Sequence, residues 1–278
     1  MKLATIILLG ITSLFASAEE PTVLSQKEVG EQACGPCAFI NSLLFSNDQK
    51  ALAKLRCDTP EEKATHFIER YGSTRSIFWK SDRNAYSEDT GINAPDLISL
   101  INSFRRRQNQ SDIKGQLLVR GGNENSAQFI DRIHGVISKS ITAGFPPLLD
   151  IRSTVAKRAD LSEKILWHTI NAHWVCIISA TKVESDNPVL LLRIADSASG
   201  KIIGSLMCNA PPRGAKVAIR TRIDGFGKEK TTWIGSSQCL FLEAPGMPLG
   251  TQKAKWHERT YLNARYLLWC PSKKEAPQ

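Results

Sequence analysis

Apolar residues recur at helical spacing through the first half of the chain and in short alternating or continuous runs through the second. Behind Pro36, the side chains of Phe39, Ile40, Leu43 and Leu44 fall on one helical stripe, with the proline suited to a first turn. Thr59-Pro60-Glu61-Glu62 combines an N-cap threonine, a first-turn proline and a capping-box glutamate; the helix it opens runs through Phe67 and Ile68 and stops near Gly72. A third helix follows Asn93, with Leu97, Ile98, Leu100, Ile101 and Phe104 as its apolar face. A fourth begins at Ser126, carries Phe129, Ile133, Ile137 and Ile141, and ends at Gly144. Beyond it the period changes. The runs at 145–151, 173–179, 188–196, 216–223 and 238–244 read as strands separated by turn-rich segments. Helices first and strands second predict an α+β fold in which the helices pack against an antiparallel sheet. The turn-rich stretch APPRG at 210–214 marks where a small β-rich C-terminal extension would begin.

The first eighteen residues are set apart from this pattern. Lys2, an apolar run from Leu3 to Phe15 and Ala16-Ser17-Ala18 have the form of a cleavable signal peptide, leaving residues 19–278 as the expected domain. That run is short for a bilayer span, and no later stretch approaches the roughly 20 apolar residues a span requires. The expectation is a secreted or periplasmic protein with no membrane span once the signal is removed.

Composition then narrows the partners. With 42% hydrophobic and 23% charged residues the chain is ordinary globular material, and its formal net charge is +9. Outside the cytoplasm such a charge suits anionic envelope polymers or acidic substrates, and it equally suits a solvated basic surface. Arg105 to Arg107 fall where cations complement a helix C-terminus. No basic stripe is interleaved with aromatics, so a nucleic-acid partner is not expected. Seven cysteines, at 34, 37, 57, 176, 208, 239 and 270, give an odd count that three bridges and one free nucleophile would fit.

Cys34-Gly35-Pro36-Cys37 stands at the start of the first helix, where three chemistries use such a pair. Structural zinc needs four ligands in close pairs; the only other pair-like feature is His168 with His173, so no metal or other cofactor is expected. A redox dithiol of thioredoxin type needs a hydrophobic strand leading into the pair, and residues 25–33 (SQKEVGEQA) are too polar for one. A nucleophilic thiol needs a histidine and a group to orient it. His173 lies 139 residues after Cys34 (173 minus 34), within the roughly 130–150 spacing of papain-like enzymes. Asp196 ends the next predicted strand, and antiparallel pairing of the two strands would bring its carboxylate to His173.

ACGPCAFINSLLF, AHWVCIIS and RIADSASGKI together resemble the papain-fold cysteine peptidases of the bacteriocin-processing (double-glycine leader) branch and their secreted relatives. The resemblance covers three short islands between residues 32 and 201. It implies a papain-like fold, Cys34 as nucleophile, His173 as general base and acid, Asp196 as orienter, and a peptide or protein substrate. That family places an oxyanion glutamine about six residues before the nucleophile; here Gln26 is eight before Cys34 and Gln32 two before. Counted from Cys37, Gln32 is five before, so Cys37 is the alternative nucleophile. Gln32, or Gln26, with the nucleophile's own backbone N–H would stabilise the oxyanion. The expectation is an exported thiol hydrolase of peptide or amide bonds. A thioredoxin-like oxidoreductase and a non-catalytic binding protein on the same fold are the alternatives.

Overall fold

Helix α1, Cys34–Phe45, is buried from Gly35 to Leu43 on every side. The sequence pattern marks one apolar stripe, but burial extends all round the helix, as it does for a helix in an interior rather than on a surface. Two polar side chains tie it down. Ser42 Oγ donates to the carbonyl of Pro146 at 2.7 Å, and Asn41 Oδ1 accepts from the backbone N–H of Leu24 at 2.9 Å. Around α1 pack a short α2 (Gln49–Ala53), α3 (Pro60–Phe67) and α4 (Ala94–Arg106). The capping box expected at Thr59 and Glu62 is present, and α3 continues as a wide π turn over Ile68–Gly72. Asn93 caps α4 by accepting from Asp96 N. Phe39, Phe67, Tyr71 and Phe104 form a connected aromatic cluster with ring centroids 4.9–6.0 Å apart, which locks α1, α3 and α4 together.

The strands come after the helices, as the hydrophobic pattern predicts, but they close on themselves. The chain supplies β1 (Lys114–Leu117), α5 (Ser126–Thr142), β2 (Leu148–Arg158), β3 (Ile165–Val183), β4 (Val189–Asp196), β5 (Lys201–Cys208), β6 (Lys216–Arg222), β7 (Glu229–Gly235), β8 (Leu240–Glu243) and β9 (Thr260–Trp269). Pairing runs β2–β3–β4–β5–β8–β9 and back to β2, antiparallel throughout, so six strands make a closed ring. β1 adds to the end of β9, and the β6–β7 hairpin meets β3 through a short parallel pairing. The fold is therefore α+β with an antiparallel β-barrel. The six strands bury a common core including Leu149, Ile151, Val175, Ile177, Leu192 and Ile194, to which α5 adds Phe129, Ile133 and Ile137.

The computed structural model describes residues 20–46, 48–79, 82–158, 165–209, 216–222, 229–247 and 260–271. The expected signal peptide and the APPRG stretch lie outside the described residues. The β-rich part beyond about residue 210 returns to the body of the fold, since β8 pairs with β5 and β9 with β2. Four strands, β1, β5, β7 and β9, and the short α2 were not anticipated. The three disulfide bridges that the cysteine count would fit do not form: all seven cysteines are free thiols. Apart from Cys34 and Cys37, which share α1, they are dispersed along the chain, and Cys37 and Cys176 are enclosed in the apolar layer around α1. Among the described residues no helix is long and apolar enough to cross a membrane.

Candidate active site

Cys34 is the first residue of α1. Ala33, at the N-cap position, offers no side-chain cap, so the first-turn backbone donors are left for other partners. Gly35 allows the helix start to sit where it does. A Cβ on this residue would lie 2.5 Å from Ile92 Cγ2, 3.3 Å from Leu97 Cδ2 and 3.4 Å from Trp174 Cδ1. Its missing side chain thus lets α1 approach β3 one residue beyond His173. The tryptophan after the histidine acts as a spacer between helix and strand.

His173 and Asp196 come from neighbouring antiparallel strands, β3 and β4, whose register pairs Cys176 with Ala195 and Ile177 with Ile194. His173 Nε2 meets Asp196 Oδ1 at 2.6 Å, with the two side chains 3% and 0% exposed. Cys34 is the other side chain that acts on this imidazole, and its sulfur helps to raise the histidine's pKa. The Asp196 carboxylate also accepts from the backbone N–H groups of Ala198 and Ser199, both at 3.1 Å, in the turn that leads to Gly200. Gly200 adopts a positive φ of 65°, which favours glycine there.

The electrostatics follow from this line of three groups. Burial pushes the His173 pKa down, but its hydrogen bond to the Asp196 carboxylate and the influence of Cys34 outweigh it and raise it to about 9. Burial alone would raise the Asp196 carboxyl, yet His173 and the turn amides hold it below its ordinary value. Cys37 is different in kind. It is fully enclosed, and burial drives its thiol well above the ordinary range. Cys34 is only half-buried. Of the two sulfurs in the pair, Cys34 is the one that acts on His173.

The two glutamines are also separated by the structure. Gln26 is wired to the aspartate turn: its backbone N–H donates to Ser197 O at 2.9 Å, and its Oε1 accepts from Ser197 Oγ at 3.0 Å. Its Nε2 donates to Glu31 O at 2.9 Å. Gln32 is half-buried beside the loop at Gly91, with its Oε1 3.8 Å from where a Cβ on that glycine would lie. No side-chain hydrogen bond of Gln32 occurs among the described residues. Ser197 was not singled out in the sequence; its only signal there was its place directly after Asp196. No group of three or more His, Cys, Asp or Glu side chains able to hold a metal occurs among the described residues.

Comparison of the chain with protein-family models, curated proteins and solved structures finds no match in any of the three.

Proposed function

We propose that the protein is an exported thiol hydrolase of papain-like architecture that cleaves peptide or amide bonds. The observation that carries this reading is the buried His173–Asp196 pair at 2.6 Å on two paired strands, with Cys34 at a helix start acting on the same imidazole. The Cys34 thiolate attacks the scissile carbonyl carbon, forming a C–S bond and moving an electron pair onto the carbonyl oxygen. The backbone N–H of Cys34 and a glutamine amide receive that oxyanion. We assign this role to Gln26, because Ser197 fixes its oxygen and its amide keeps a second N–H to donate, with Gln32 as the alternative. The His173 imidazolium gives its proton to the leaving amine as the C–N bond breaks. Water, deprotonated by His173, then cleaves the thioester and restores the thiolate. Asp196 keeps the ring oriented and stabilises its charge.

A redox dithiol draws less support. A 3-10 turn at Gln26–Glu28, not a strand, precedes the pair, and Cys37 is buried with its ionisation suppressed. The deciding experiment offers a mixed peptide library to wild type, Cys34→Ala and Cys37→Ala, with cleaved products read by mass spectrometry and insulin reduction assayed in parallel. The proposal expects cleavage by wild type and Cys37→Ala alone, with insulin reduced no faster than by a dithiol-free control. Insulin reduction lost on replacing either cysteine would overturn it.

A further inference from the structure

Three helical segments end around one small cavity that shares no residue with the Cys34 site. It measures about 280 Å³; Lys54 follows α2, Arg56 lies two residues on, Arg70 and Tyr71 belong to the π turn after α3, and Arg107 caps α4. Among the described residues four cations line this cavity, and no acid does. Among the described residues none of the four forms an ion pair. Helix C-termini attract cations, so a basic cluster here has an alternative origin. The neighbours of Arg107 show the difference. Arg105 turns inward to Ser111 O and Cys270 Sγ, and Arg106 pairs with Asp112, whereas Arg107 meets no acid. Arg70 and Arg107 are held over the same Tyr71 ring, 5.9 and 5.3 Å from its centroid. Two guanidinium groups sharing one aromatic ring repel each other until an anion joins them. Arg56 adds backbone strain, with a φ of 51° that bulky side chains rarely adopt.

We propose that this cavity is a binding site for a phosphoryl anion. A phosphate monoester or free phosphate presents three or more oxygens and more than one negative charge, which three guanidinium groups and an ammonium can share. A carboxylate carries a single charge and two oxygens, and leaves part of this donor set unused. The site concerns a second ligand and stands independently of the hydrolase reading.

The test is an amide NMR titration of the mature chain with inorganic phosphate, on wild type and on Arg70→Gln/Arg107→Gln. Both arginines are exposed, so the double variant is expected to fold. In wild type, saturable shifts are expected at 54–56, 70–71 and 107–108. The double variant is expected to bind at least about tenfold more weakly. Phosphatidic acid vesicles, with phosphatidylcholine vesicles as the reference, identify the source of the phosphate. Vesicle binding lost in the double variant assigns the site to a lipid headgroup; vesicle binding equal in both proteins assigns it to a soluble phosphate. Shifts scattered over the basic surface, or equal phosphate affinity in the two proteins, would overturn the proposal.

Discussion

His173 Nε2 and Asp196 Oδ1 sit 2.6 Å apart with both side chains shut away from solvent, which ties the protonation of one to the ionisation of the other. The histidine is raised from 6.5 to about 9, against its own burial, by its hydrogen bond to Asp196 and the influence of Cys34. A folded-state pKa above the unfolded one contributes stability that is complete below about 6.5 and is lost as the pH climbs through about 9. The lowered Asp196 acts in the opposite sense. Its contribution is present above the ordinary carboxylate value and is lost as the pH falls through the folded one. Wild type is therefore expected to lose more Tm than His173→Gln between pH 7 and pH 10. Calorimetric scans of both proteins across that range check this, and parallel curves would mean the pair is not linked to folding.

The same pair makes a kinetic statement. His173→Ala removes both the base and the proton donor and is expected to abolish hydrolysis while the barrel stays folded. Asp196→Asn keeps a hydrogen-bond partner but removes the charge that sustains the imidazolium. It is expected to retain a small fraction of kcat/KM, with the alkaline limit of its pH profile moved to lower pH. An unmoved limit would show that Asp196 does not set the histidine's charge.

Gly35 is expected to be intolerant for a steric reason that can be reversed. Alanine there collides with Ile92 Cγ2, a branch on a stiff side chain, and pushes the helix start away from Trp174. Gly35→Ala is expected to cost about 1–3 kcal/mol in stability, with a larger loss of activity than of folding. Ile92→Ala removes the obstructing methyl, so the double variant is expected to recover activity beyond the sum of the single effects. Simple additivity in that cycle would disprove the contact as the cause.

Gln26 and Gln32 are separable by the same logic. With Gln26 as oxyanion donor, Gln26→Ala is expected to lower kcat by about 10²–10³ with little change in KM. Gln32→Ala is then expected to stay near wild type. The reverse order of effects would move the oxyanion donor to Gln32.

Much of this arrangement was legible in the sequence, for identifiable reasons. The capping box at Thr59, the start after Asn93 and the start at Ser126 are local chemistry, and they located three helix starts to within a residue, the last of them capped by Asn125. The antiparallel pairing of β3 with β4 followed from two apolar runs around a short turn, and it is what brings His173 to Asp196. The strands that escaped notice are those whose pattern tertiary contacts override. Gly204 interrupts β5, which β4 and β8 hold on either side. Asn263 and Arg265 break up β9, yet Asn263 is buried and donates from Nδ2 to Leu240 O at 2.9 Å. Closure of the ring depends on β9 pairing with β2 more than 100 residues earlier, a relation no local period encodes. The link from Gln26 to Ser197 is of the same long-range kind.

The most direct test of the central assignment is the alkylation of the folded protein by iodoacetamide at pH 6, followed by peptide mapping. Cys34 is half-buried and acts on a histidine held protonated at that pH, whereas Cys37 is enclosed and its ionisation suppressed. The account predicts one fast-reacting cysteine, Cys34, with its rate falling at least about tenfold in His173→Ala. Preferential labelling of Cys37, or a Cys34 rate unchanged by His173→Ala, would contradict it.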